Sequence, residues 1–309
     1  MARMLITGGA GFIGSNIAHA ALDKGHDVVV LDDMSTGRVE NLSDIAGKIT
    51  LVRASILDTK KLAAAMRGAD YVLHQAALAS VPRSVKDPAA TNQTNVTGTL
   101  NVLLAAKDAG VKRVVYASSS SVYGNLETLP KREDMKPCPE SPYAVSKLAA
   151  EQYAMSFYSV YGLETVALRY FNVYGPKQDP DSQYAAVMPI FIRVMLAGRR
   201  PVIFGDGNQT RDFTFVEDVV EANFRATEAS GAAGGVFNIA FGKRITLNNL
   251  VEKINGITGK NIAPVHEAER PGDVRHSLAD IGAARKVLGY SPSHSVDDGL
   301  AKTIEWYRK

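Results

Sequence analysis

The chain has 309 residues, of which 46% are hydrophobic and 22% charged, with a formal net charge of +3. That balance describes a globular protein of one large or two intimate domains. It argues against a nucleic-acid partner, since no run of five or more Lys/Arg occurs. The single cysteine, Cys138, excludes an internal disulfide and fits a reducing, cytoplasmic setting, and no apolar stretch approaches the roughly 20 residues that span a bilayer. No leader is expected, because no charged segment followed by an apolar run opens the chain.

Met4-Leu5-Ile6 reads as a short strand, followed by Gly8-Gly9-Ala10-Gly11-Phe12-Ile13-Gly14 and a helical pattern to about Lys24. A second strand, 27–31, ends at Asp32. Glycines here allow a tight turn and let backbone approach a pyrophosphate, and the helix start offers free N–H groups. The strand–turn–helix–strand setting separates a dinucleotide fingerprint from a merely glycine-rich turn. Asp32 suits ribose hydroxyls and repels a 2′-phosphate, so the expected cofactor is NAD and not NADP.

Strand-like runs recur at 49–52, 71–74, 113–117 and 165–169, with helical patterns at 60–67, 95–109 and 143–161. This alternation predicts an α/β chain built on a Rossmann-type, doubly wound parallel sheet, with ligands at the carboxyl ends of strands. Three clusters fall at those ends: His74-Gln75-Ala76-Ala77, Ser118-Ser119-Ser120-Ser121 and Phe171-Asn172-Val173-Tyr174-Gly175-Pro176. A serine run can be only a polar turn, but its place on the edge that carries the glycine turn points to a site.

Tyr143 and Lys147 lie four residues apart in Ser141-Pro142-Tyr143-Ala144-Val145-Ser146-Lys147, hence on one helix face. An ammonium close to a phenol favours the phenolate and draws a group of pKa near 10 towards acid/base work. Alone, the pair fits a surface helix better than a catalyst, and its neighbours in the fold have to decide.

Beyond Pro176 the alternation weakens. A loop is expected at 177–184, a helix at 188–197, strands at 202–204 and 212–216, and a helix at 217–228. After a loop at 230–235, the run 236–239 reads as a strand that could return to the main sheet, with helices at 247–258 and 296–308. The expected division is an NAD-binding domain of 1–175 plus about 213–240, and a smaller C-terminal α/β substrate-binding lobe of about 176–212 plus 241–309. None of the six histidines has metal-ligand spacing, so no metal is expected. The phosphate loop of nucleotide hydrolases and the serine elbow of α/β hydrolases are both absent.

The glycine turn, Asp32, the serine cluster and Tyr143-x-x-x-Lys147, in that order, resemble the extended short-chain dehydrogenase/reductase family. Leu168-Arg169-Tyr170-Phe171-Asn172-Val173-Tyr174-Gly175-Pro176, Gly205-Asp206-Gly207 with Arg211-Asp212, and Arg270-Pro271-Gly272-Asp273 resemble its NAD-dependent nucleotide-sugar epimerase branch, nearest to UDP-hexose 4-epimerases. The segment from His74 to Ser84 is most similar to members acting on UDP-N-acetylhexosamines.

The resemblance implies roles residue by residue. Gly8, Gly11 and Gly14 form the pyrophosphate turn, with Phe12 and Ile13 along the cofactor. Asp32, Asp33, Ser35, Thr36 and Gly37 hold the adenosine ribose, and Gln75, Ala76, Ala77, Asn95 and Tyr170 border the cofactor cleft. Tyr143 is the base, Ser119 its oxygen partner, and Lys147 holds the nicotinamide ribose and lowers the tyrosine pKa. Ser120 and Ser121 face the sugar, and Asn172, Arg211 and Arg270 bind uridine diphosphate. Ser80, Gln178, Ala186, Val187, Val202, Phe204 and Asp273 complete the substrate-binding set. One departure is visible: beside Ile56, Ser55 stands where the family has an adenine-contacting Asp.

The activity so implied is an isomerase reaction on a UDP-sugar, inversion at C4 through a 4-keto intermediate, in a homodimer. Ser277 aligns with a position that is a bulky Tyr in enzymes restricted to UDP-glucose and UDP-galactose, so UDP-N-acetylglucosamine/galactosamine is expected as substrate. Ser277 could equally just begin a turn beside His276. A 4,6-dehydratase or decarboxylase on the same scaffold would need acidic residues where Ser120-Ser121 stands, and a non-catalytic NAD-binding sensor would have lost the Tyr or Lys.

Overall fold

The computed structural model describes residues 1–180, 186–269 and 275–308. Its first half alternates strands and helices. In order they are β1 (Arg3–Thr7), α1 (Phe12–Asp23), β2 (Asp27–Asp32), β3 (Thr50–Arg53), α2 (Thr59–Met66) and β4 (Tyr71–His74). Two short helices, α3 (Val81–Lys86) and α4 (Pro88–Asn92), precede α5 (Gly98–Asp108), β5 (Arg113–Ser119), α6 (Pro142–Tyr161) and β6 (Glu164–Tyr170). Then come β7 (Val173–Tyr174), α7 (Val187–Leu196), β8 (Val202–Phe204), β9 (Thr210–Arg211), β10 (Thr214–Phe215) and α8 (Val216–Glu228). The chain closes with β11 (Gly235–Ile239), β12 (Ile245–Thr246), α9 (Leu247–Thr258), β13 (Val265–Glu267), α10 (Gly282–Leu288) and α11 (Val296–Arg308).

The main sheet has seven strands in the order β11-β6-β5-β4-β1-β2-β3, all parallel. Both faces are covered, so its central strands are continuous apolar runs: Met4, Leu5 and Ile6, or Val28 to Leu31, are at most 1% exposed. One face packs Ile17, Ala18, Val219 and Phe224, and the other Leu62, Val102, Leu103 and Phe157. The order of strands reverses between β1 and β4, and Thr7 stands beside both Leu31 and His74 there. That crevice is where a doubly wound sheet binds its ligand.

A third apolar cluster joins α7, α9 and α11 through Phe191, Leu250 and Leu300. As expected, β11 returns to the main sheet beside β6. Of the expected strand 212–216, only Thr214–Phe215 is a strand, and a separate short strand precedes it. Thr210–Arg211 pairs with β12 and Thr214–Phe215 with β7, while Asp212 between them turns its carboxylate to the N–H groups of Phe241, Gly242 and Ala279. The helix expected from Asn95 begins earlier, at Pro88, and passes through a wide turn at Gln93–Thr97. Such widened turns collect at functional sites. The buried Asn95 in this one bonds both the N–H and the C=O of Leu78.

Candidate active site

The turn after β1 is shaped by the absence of side chains. Gly8 has φ +67°, and a Cβ on it would lie 2.7 Å from the backbone of Ala76; a Cβ on Gly14 would lie 2.2 Å from the Gly8 oxygen. Gly11 then starts α1 with no side chain bonded to its free N–H groups. This is a cradle for an anion at a helix N-terminus. It opens onto a cleft of about 370 Å³ bordered by Gly8, Gly11, Asp32, Gln75, Tyr143 and Lys147 among others.

Asp32 ends β2 and is 6% exposed. Its two oxygens accept from the N–H groups of Ala10 and Met34, at 2.9 and 2.8 Å. Burial pushes the carboxyl upward and these amides pull it back, so the acceptor geometry towards a ribose is fixed in advance. Gly37 lies against it, where a Cβ would come 2.7 Å from a carboxylate oxygen. Glycine cradle, carboxylate and cleft together fit a dinucleotide.

At the other end of the cleft stands α6. Ser141 caps it, its hydroxyl accepting from the Ala144 N–H at 3.2 Å, with Pro142 in the first turn and Gly162 closing the helix at φ +71°. Tyr143 is half-buried and hydrogen-bonds Ser119. Burial raises the Tyr143 pKa above its ordinary value and the Ser119 bond lowers it only in part. The expected lowering by Lys147 does not appear: loss of hydration raises the tyrosine, and the opposing pull comes from Ser119. Lys147 is 4% exposed and stands 4.7 Å over the Tyr116 ring. Burial brings its ammonium down to about 7, with Glu151 acting in the opposite direction.

Of the expected residues, Gly8, Gly11, Phe12, Ile13, Asp32, Asp33, Ser35, Thr36, Ile56, Gln75, Ala76, Ala77, Tyr143, Lys147, Tyr170, Gln178 and Ala186 all border the one cleft. Gly14, Gly37 and Asn95 support it from behind. Ser55 does not face it; its hydroxyl accepts from the Leu57 N–H at 3.2 Å, capping a turn, while Ala54 and Ile56 border the cleft. Ser119 follows the same pattern locally, accepting from the N–H and hydroxyl of Ser121 at 3.2 and 2.9 Å, and Ser120 opens the short 3-10 turn that follows. Ser80 caps α3 by accepting from the Arg83 N–H.

A second group gathers around Asn172, which has φ +35°. Its side-chain amide donates to the Asp212 carbonyl at 2.9 Å and to the Ser277 hydroxyl at 3.0 Å. Arg211 lies next in sequence to Asp212 and donates to the carbonyls of Thr210 and Arg275. Val187 begins α7, and Val202 and Phe204 lie on β8. Arg270 and Asp273 lie outside the described residues.

Some cleft residues carried no sequence signal. Arg38, Asn41, Lys177 and Asp179 border it because the segment after β7 crosses to the segment after β2. Asn223 joins from α8, bonding Gln75 and the Tyr170 hydroxyl at 3.1 and 2.8 Å. For Asn223 the one trace in the sequence is a polar residue on the apolar face of α8. Among the described residues no cluster of metal-ligating side chains occurs, and no helix is long and apolar enough to cross a membrane.

Known proteins agree with this geometry. The chain is 43% identical to a UDP-glucose 4-epimerase of Mycolicibacterium smegmatis, over 99% of this chain and 98% of the relative. A dTDP-glucose 4,6-dehydratase of Streptomyces antibioticus is 34% identical over 99% of this chain and 92% of its own length. The structure superposes with a TM-score of 0.95 on a UDP-N-acetylglucosamine 4-epimerase from Methanobrevibacter ruminantium M1, solved with UDP-N-acetylmuramic acid, at 41% identity and covering 99% and 98% of the two chains. The model of the NAD dependent epimerase/dehydratase family matches residues 4–240, the span holding the glycine cradle, Asp32, Ser119, Tyr143 and Lys147. On sequence, fold and cofactor cleft alike, the chain belongs to that NAD-dependent family.

Proposed function

We propose that this protein is a UDP-hexose 4-epimerase that acts on UDP-N-acetylglucosamine and UDP-N-acetylgalactosamine, with UDP-glucose and UDP-galactose as further substrates. The observation that carries this reading is the pairing of Tyr143, bonded to Ser119, with Lys147 inside the cleft that Gly8, Gly11 and Asp32 begin.

NAD+ held in that cleft by Gly8, Gly11 and Asp32 would supply a reversible hydride acceptor for C4 of the sugar. Tyr143 removes the proton of the C4 hydroxyl as hydride leaves and gives it back when hydride returns. Ser119 donates to the same oxygen and steadies the carbonyl that develops there. Lys147, as an ammonium, favours the Tyr143 phenolate and bonds the nicotinamide ribose. The 4-keto sugar turns about its diphosphate link between the two transfers. Asn172, Arg211 and Arg270 hold the uridine diphosphate while it turns, since guanidinium forks pair well with phosphate oxygens.

Two side chains speak against a dehydratase. Elimination of water needs an acid and a base beside the reacting carbon, and Ser120 and Ser121 occupy that place. Proton NMR of the product from a UDP-sugar tests the choice. Inversion at C4 alone is expected; a 6-deoxy-4-keto product would overturn the reading. Tyr143→Phe is expected to abolish turnover with NAD still bound, and activity in that variant would remove the proposed base.

The fold is read as an NAD-binding domain of 1–175 plus about 213–240 and a substrate lobe from the rest. The third apolar cluster, around α7, α9 and α11, supports that division. A homodimer through α5 and α6 is supported by Leu104, Val145, Tyr153 and Val160, which stand exposed on those helices. The single thiol supports a cytoplasmic enzyme.

A further inference from the structure

Behind Tyr143 and Lys147 lies a charge that the reaction as written does not use. Glu151 is one turn beyond Lys147 on α6 and is 0% exposed. A carboxylate this deep needs full compensation. Arg169 on β6 supplies it with two bonds, from Nε at 3.0 Å and from Nη2 at 2.7 Å. Arg169 is itself held by the Tyr123 hydroxyl at 2.8 Å and by the Tyr123 ring. Tyr123 in turn donates to Asn238 on β11 at 2.7 Å. The arginine fork is thus clamped from both sides, and the carboxylate it grips has no freedom to turn.

One further donor reaches Glu151: the Ser118 hydroxyl, at 2.6 Å. Ser118 precedes Ser119 at the end of β5. The carboxylate therefore touches the strand end that carries the oxygen partner of Tyr143, and it lies on the helix that carries both Tyr143 and Lys147.

Resting on the epimerase reading, we propose that Glu151 is a positioning residue for catalysis. Its carboxylate, locked by Arg169, pins Ser118 so that Ser119 meets Tyr143, and it sets a fixed negative charge one helical turn from the Lys147 ammonium.

The charges around Lys147 give this reading its direction. From its own helix it faces Tyr143 and Glu151; from β5 it faces the Tyr116 ring, and from β4 the buried, neutral His74. Burial acts to strip its proton, and Glu151 acts to keep it. A paired Arg169 on the far side of Glu151 leaves the nearer, negative member of the pair as the one Lys147 senses. In a reaction needing Tyr143 as phenolate and Lys147 as ammonium, the alkaline limb of the pH–kcat profile reports the lysine.

The test uses the NAD-loaded enzyme, with folding and NAD content checked in each variant. Because Glu151→Gln would strand a buried Arg169, the charge is removed as the pair Glu151→Met/Arg169→Met, which apolar packing tolerates far better. The double variant is expected to move the alkaline limb of kcat to lower pH by about one unit, a tenfold loss on that limb. Ser118→Ala keeps the ion pair and is expected to lower kcat several-fold at every pH with KM unchanged. An unshifted limb in the double variant, or parental kcat in Ser118→Ala, overturns the proposal. If the double variant does not fold, the Ser118→Ala result decides. Turnover by Tyr143→Phe would instead overturn the epimerase reading beneath it, so the two failures are distinguishable.

Discussion

The Asn172 side-chain amide donates to the Ser277 hydroxyl at 3.0 Å, and the same hydroxyl accepts from the Asp212 N–H at 3.2 Å. One small side chain thereby ties the loop after β6 to Asp212, the residue that follows Arg211. Ser277→Tyr would both fill the space beside Asn172 and break this tie. Turnover of UDP-N-acetylglucosamine is expected to fall at least about tenfold, as for a filled specificity pocket. Turnover of UDP-glucose should change much less, and parallel assays of the two substrates check this. Unchanged N-acetyl turnover would return Ser277 to the role of a turn residue.

Lys177 has φ +69° and crosses the cofactor cleft to reach the Asn41 carbonyl at 2.9 Å. Around it, Asn16 bonds the Pro176 carbonyl at 3.1 Å, and Arg38 pairs with Asp179 at 2.6 Å. These contacts strap the segment after β7 onto α1 and onto the segment after β2. Lys177→Ala is expected to keep the fold and to release NAD faster, by about tenfold for the loss of roughly 1.4 kcal/mol of charge-assisted bonding. The amount of NAD released with time after dilution, separated by rapid gel filtration and assayed enzymatically, would show it.

Gly8→Ala places a methyl group 2.7 Å from the Ala76 backbone in a conformation with φ +67°. Strain of this kind costs about 1–3 kcal/mol, and the clash adds to it. The variant should be purified without NAD and melt at lower temperature. NAD content by absorbance and a thermal melt are the measurements.

His74 sits between the Thr7 and Thr99 hydroxyls, at 2.6 and 3.0 Å, and burial lowers its pKa to about 3. The unfolded chain holds a histidine near its ordinary 6.5. Between pH 6.5 and about 3 the unfolded state therefore binds more protons, so the contribution of His74 to stability is complete above 6.5 and is lost as pH falls towards 3. In His74→Gln the acid slope over that window should be shallower. Urea midpoints measured at several pH values from 7 to 4 would reveal a parallel slope if the reasoning is wrong.

The sheet was legible because its strands are buried on both faces and so read as unbroken apolar runs: Met4 to Ile6, Val28 to Leu31 and Val114 to Ala117 are of this kind. The glycine turn was legible because backbone contact leaves no room for any other residue at Gly8 or Gly14. Tyr143 and Lys147 were legible through helical spacing. Single residues whose bonds run between distant elements were not. Ser55 matched a family position but spends its hydroxyl on Leu57, and Asp212 broke an expected strand by turning to amides 29 or more residues away.

What the sequence by itself determined is the list of parts: a doubly wound sheet, a dinucleotide turn and a Tyr–Lys pair, all set by local spacing and by the period of burial. Tertiary structure alone decided how those parts are charged. It sank Tyr143 and Lys147 far enough for burial to raise one pKa and lower the other. It set the Glu151–Arg169 pair behind them and drew Lys177 across the cleft. Hydration lost and charges gained depend on which distant elements pack together, and no local pattern along a chain carries that information. The tyrosine and lysine are one helical turn apart by sequence; how readily each holds its proton is a property of the fold.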